Sequence, residues 1–96
     1  MFICEDIEDS LELRKRHRPE HRARLEKLVD EGRIMAAGPT PAIDSEDPGP
    51  AGYSGSIIIA EFESLEEARK WADDEPFLRE GVYKSVVVKP FHKTMP

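Results

Sequence analysis

The stretch SIIIAEFESLEEARKWADDEPF, residues 56–77, changes its hydrophobic period midway, and that change decides the fold. SIIIAEF (56–62) is short, rich in β-branched residues and free of Pro and Gly, which predicts a strand. From Ser64 the spacing lengthens to that of a helix, with Leu65, Ala68 and Ala72 on one face. Ser64 followed by Glu67 is a capping box, so the helix start is marked. Three acids, Asp73, Asp74 and Glu75, then stand where the free carbonyls of a helix end already carry partial negative charge. Pro76 keeps the residue before it out of the α region, so Glu75 is expected to leave the helix axis and be free to turn toward the sheet.

Working outward, MFICE (1–5) predicts a first strand and DIEDS a polar turn. The basic run from Leu11 to Glu31 predicts helix. Pro19 is tolerated only in a first turn, so the expected form is a short turn over 11–17 and a main helix from about Arg18. Leu25, Leu28 and Val29 would be its apolar stripe and Gly32 its stop. RIMAAG (33–38) predicts a second strand. Residues 39–55, with four prolines and several glycines, read as a long, preshaped loop. VYKSVVVKP (82–90) predicts the last strand. The order β-α-β-β-α-β is ferredoxin-like: an α+β fold with a four-stranded antiparallel sheet and both helices on one face.

In that sheet, Ile57 and Ile59 point one way while Ile58, Ala60 and Phe62 point the other, and Val86 and Val88 alternate with Val87 and Tyr83. Both faces are therefore apolar near the centre, and two helices cover only one. A second copy of the chain is expected to cover the other, as a homodimer packed sheet to sheet.

With 96 residues the chain suits one domain. A net charge of −6 argues against general nucleic-acid binding, which needs excess positive charge. The single cysteine, Cys4, allows no internal disulfide and reads as an inert core residue. No segment approaches the ~20 apolar residues of a membrane span. The N-terminus lacks the pattern of a signal peptide. A soluble, cytoplasmic protein is expected.

His21 lies four residues before Leu25 and seven before Leu28, so it shares their inward stripe. It is read either as a general base or as a packed core histidine. His17 and His21 have the i, i+4 spacing of a metal pair, but Pro19 intervenes and no third ligand is near, so no metal is expected. RKRHRPEHRAR (14–24), which includes Arg18, would steer an anionic ligand toward His21 or serve as a solvated helix face. Ser56, at the start of its strand, would donate to a ligand or cap the strand.

RPEHRARL (18–25), DEGRIMAAGPTPAIDSEDPGPAGYSGS (30–56), IAEFESLEEARKWAD (59–73) and GVYKSVVVKPF (81–91) together resemble the YciI family over nearly the whole chain. The resemblance implies a ferredoxin-like dimeric α+β barrel with a His-Asp site in a cleft. The family histidine, in R-P-x-H-L, corresponds to His21, followed here by Arg22 in place of leucine. The family aspartate, in A-D-x-D-P-[FY], corresponds to Glu75, with Asp74 as the neighbouring alternative. Similar proteins include a dehydrochlorinase, and related barrels host lactone isomerases.

The resulting expectation is a cofactor-independent enzyme of lyase or isomerase type acting on a small aromatic or lactone-like molecule. His21 would take the proton, Glu75 would orient it, and Ser56, Arg18 and Asp74 would contact substrate. The longer acid also fits a second reading, a non-catalytic small-molecule binder or sensor with the same pocket. A scaffold without a ligand is the third.

Overall fold

The computed structural model describes residues 1–96. The elements are β1 (Phe2–Asp6), α1 (Leu11–Asp30), β2 (Ile34–Pro41), a 3-10 turn (Gly49–Ala51), β3 (Tyr53–Ala60), α2 (Leu65–Asp73), α3 (Pro76–Arg79) and β4 (Tyr83–Val88). The strands form one antiparallel sheet in the order β2-β3-β1-β4, with β1 in the interior because both of its neighbours pair with it antiparallel. This is the ferredoxin-like α+β arrangement.

The core lies between one sheet face and the helices. Phe2 and Cys4 of β1, Ile58 of β3 and Tyr83 of β4 meet Ala68 and Ala72 of α2 and Phe77 of α3. The small alanines let α2 approach closely, while Phe2, Phe62 and Trp71 fill the adjoining space as an aromatic group. Ser64 caps α2 by accepting the Glu67 N–H at 3.1 Å. Gly55 is fixed by a close approach: a Cβ there would sit 1.9 Å from the Cys4 carbonyl oxygen of the paired strand.

Several expectations need correction. α1 is continuous from Leu11 and holds Pro19 inside it. Proline lacks an N–H and so leaves the Lys15 carbonyl without its helical donor, a cost of about 3 kcal/mol in an interior turn. Buried anchors on both sides, Arg14 before it and His21 and Leu28 after it, hold the helix through that defect. Val29 is 57% exposed and is not part of the buried stripe.

The 39–55 loop is shorter than expected. β2 runs to Pro41 and β3 starts at Tyr53, with Thr40 opposite Gly55, so only residues 42–52 connect them. Finally, Tyr83 faces the helices together with Val86 and Val88. Glu5 pairs with Ser85 but Asp6 pairs with Tyr83, so Lys84 is an extra residue in β4. That bulge reverses the alternation and turns Tyr83 inward.

Candidate active site

Glu75 sits between α2 and α3 in extended conformation, with φ −66° and ψ 124°, as a residue before proline should. Its backbone turns the side chain back under α1, where it is 2% exposed. Three donors converge on the carboxylate. One oxygen faces His21 Nδ1 in a short contact and also accepts the Phe77 N–H at 3.3 Å. The other accepts Arg24 Nη1 at 3.1 Å. Arg24 is itself fixed by the Trp71 carbonyl at 3.0 Å and by stacking over the Trp71 ring at 4.4 Å.

His21 is buried, with its ring stacked on Phe77 at 4.0 Å and 8° between planes, and with Tyr83 edge-on at 6.4 Å. A carboxylate already receiving Arg24 and a backbone N–H is an acceptor, so Nδ1 carries the proton toward it. In the neutral ring the lone pair is then on Nε2, which has no partner within the chain. His21 lines a cavity of about 420 Å³ between α1 and the sheet, closed further by Phe77, Ile58 and Ser56. The volume suits a molecule of one ring.

A second buried pair lies two turns earlier along the same face of α1. Asp6 Oδ2 accepts Arg14 Nε at 2.6 Å and Oδ1 accepts Nη2 at 2.9 Å. Ser10 donates to Oδ2 at 2.5 Å. Arg14 Nη2 also donates to the Gly55 carbonyl at 2.8 Å and to Ser56 Oγ at 3.0 Å. Sequence reasoning passed over this pair. The signal was the inward parity of Phe2, Cys4 and Asp6, which puts an acid on the core face and demands a cation.

Of the residues singled out from sequence, His21 and Glu75 meet. Ser56 lines the cavity, as Arg18 does from the exposed side of α1. Asp74 does not join them: it is exposed, caps the end of α2, and borders a separate surface groove with Arg24 and Lys70. His17 faces Glu80 at 3.9 Å rather than His21, and no three His, Cys, Asp or Glu side chains gather as a metal site.

Two further groups in this region have displaced titrations. Burial pushes the Cys4 thiol up to about 12, against a Tyr83 contact that works the other way. Burial also raises the Tyr83 hydroxyl, with the nearby Cys4 adding to the effect. That hydroxyl makes no well-formed hydrogen bond. Both groups stay protonated across the neutral range.

The fold is thus a four-stranded ferredoxin-like α+β sheet with a helix-lined cavity, along which α1 sets a buried histidine-carboxylate contact and a buried arginine-carboxylate pair. The chain belongs to the family described as the YCII-related domain, whose model matches residues 1–92. It is 60% identical over 93 residues to "Protein YciI" of Escherichia coli O6:H1, covering 97% of this chain and 95% of that one. An uncharacterised protein of Haemophilus influenzae is 47% identical over the same shares. Among solved structures, 5-chloro-2-hydroxyhydroquinone dehydrochlorinase from Burkholderia phenoliruptrix AC1100, in complex with 2,5-dihydroxybenzoquinone, superposes with a TM-score of 0.81. It is 26% identical, covering 95% of this chain and 90% of that one.

Proposed function

We propose that this chain is a cofactor-independent enzyme that removes a proton from a small aromatic or lactone-like molecule, as a lyase or isomerase. The observation that carries the reading is the state of His21. Its Nδ1 is committed to Glu75, its ring is clamped against Phe77, and the residue lines a cavity of one-ring size. That is the arrangement of a general base with an orienting acid. Nε2 accepts a proton from substrate carbon, and the imidazolium so formed is paired with the Glu75 carboxylate. Neither a metal nor an organic cofactor is needed for that step. The likeness to a dehydrochlorinase supports elimination as the outcome, with loss of a leaving group from the carbanion or enolate.

The test is turnover of chlorinated hydroxyhydroquinones and of five-membered lactones, followed by chloride release and by solvent deuterium incorporation. Replacing His21 with Gln should abolish both signals. Equal rates in the parent and the variant would remove His21 as the base.

We also propose that two copies pair through the open sheet face, where Ile3, Ile57 and Ile59 are half-buried and Val87 is 44% exposed. Covering ~400 Å² of such surface contributes on the order of 10 kcal/mol before association costs. Light scattering of an Ile57→Glu variant should report a monomer where the parent is a dimer. A parent that is already monomeric at micromolar concentration would refute the pairing. A reducing, cytoplasmic setting fits the single buried thiol.

A further inference from the structure

The cavity is cationic in an anionic chain. Its lining carries Arg14, Lys15, Arg18 and Arg22 against the single acid Glu26, while the chain as a whole is −6. Lys15, Arg18 and Arg22 stand exposed along successive turns of α1 at the mouth. Lys15 has one long contact, with Glu12 at 3.9 Å, and Arg18 and Arg22 form no ion pair within the chain. A solvated helix face normally spreads its cations among acids; here they concentrate on one opening.

Arg14 differs from the other three. It is 8% exposed and lies within 5.0 Å of the Tyr53 ring centre and 5.3 Å of that of Phe77. Nε and Nη2 are fully occupied by Asp6, the Gly55 carbonyl and Ser56. Nη1 alone has no partner within the chain. A guanidinium pinned along one edge and packed between rings presents its free N–H groups in a fixed direction, which suits recognition of an oxygen anion.

We propose that the cavity binds a small organic anion whose carboxylate or enolate oxygen takes the Nη1 hydrogens of Arg14, with Lys15, Arg18 and Arg22 supplying the attracting field at the mouth. The proposal names the ligand class of the site read above and rests on the cavity at His21 being where substrate sits. Arg14 and His21 stand two turns apart on the same face of α1, both against the Phe77 ring, so an oxygen held at Arg14 leaves the remainder of the molecule to extend along α1 toward His21. An enolate generated by proton removal would meet the same donor.

The experiment is calorimetric titration of the full chain with benzoate and with its neutral isostere benzamide, at low and at high NaCl. Benzoate should bind about tenfold more tightly than benzamide, and its affinity should fall as salt screens the exposed cations. Arg18→Gln should weaken benzoate about threefold and flatten the salt dependence, with little effect on benzamide. Arg14→Lys, which keeps the charge but loses the fork, should weaken benzoate by about tenfold or more. Truncating Arg14 to Ala is avoided because it strands buried Asp6. If Arg14→Lys fails to fold, the exposed Arg18→Gln and Lys15→Gln still carry the test.

Benzamide binding as well as benzoate would overturn the proposal. So would no binding of either probe at millimolar concentration, or benzoate affinity at low salt left within about twofold by both exposed variants. These readouts contain no proton transfer. A protein that binds benzoate as described but turns over substrate equally well as His21→Gln would keep the anion site and lose the base.

Discussion

Glu75→Gln is the most informative single change, because the new side chain keeps the shape of the old and alters only charge and donor pattern. In the parent the carboxylate receives His21 Nδ1, the Phe77 N–H and Arg24 Nη1, all at a position 2% exposed. An amide has one acceptor oxygen and an NH2 group. If the oxygen stays with His21 and Phe77, the NH2 points at the Arg24 guanidinium; if it turns to Arg24, the NH2 meets Nδ1–H.

Breaking a buried ion pair from one side costs about 3–5 kcal/mol. Here the Arg24 side chain is 24% exposed and recovers some hydration, which brings the expected loss to about 2–3 kcal/mol. For a domain of this size that lowers Tm by roughly 8–24 °C. The assay is thermal unfolding by circular dichroism at fixed protein concentration, repeated for Arg24→Ala and for the double variant. Coupling of at least about 0.5 kcal/mol between the two sites is expected. A Tm change below about 2 °C with additive single effects would mean that the three donors do not depend on the charge of Glu75. The same variant should lose about two to four orders of magnitude in kcat with little change in KM, because the ring loses its tautomer and its orientation.

Asp74→Ala, one residue away, removes an exposed group outside the cavity and should change stability by less than about 0.5 kcal/mol and turnover not at all; a turnover loss matching that of Glu75→Gln would transfer the acid's role to Asp74. Gly55→Ala forces a Cβ against the Cys4 carbonyl and should cost several kcal/mol, seen as loss of soluble, cooperatively folded protein. The Cys4 thiol should resist a disulfide reagent near pH 8 in the folded chain and react at once in urea. Because folding raises that thiol from 9.0 to about 12, its neutral form contributes fully below pH 9. The contribution then declines by about 1.4 kcal/mol per pH unit until about pH 12. Urea midpoints that stay flat between pH 9 and 11 in the parent, and match those of Cys4→Ala, would contradict the burial argument.

The element order was legible because each segment of the chain states its period and its stops. SIIIAEF, the Ser64 cap and Gly32 all act locally, and local signals survive folding. The failures came from longer range. Pro19 argued for a break in α1, and anchors at Arg14 and Leu28, far apart in sequence, overrode it. Tyr83 was assigned to the wrong face because a bulge depends on how β4 meets β1 rather than on β4 alone. At the site, Glu75 was picked out by Pro76 and by a resemblance. Phe77, which clamps His21, was not, since a four-residue helix gives no periodic signal. Arg14 and Asp6 were hidden by their setting: one inside a basic run that reads as solvated, the other at the edge of a polar turn.

Helix α1 contributes His21 and all four cations of the cavity, and it does so from two kinds of position. Arg14 and His21 are locked by burial and partners, whereas residues 15, 18, 22 and 26 stand in water at the mouth. Changes at those outer positions disturb neither packing nor the buried pairs. The charge at the cavity mouth is therefore free to drift across descendants of this chain, one surface substitution at a time, while the buried His21–Glu75 and Arg14–Asp6 pairs stay where they are.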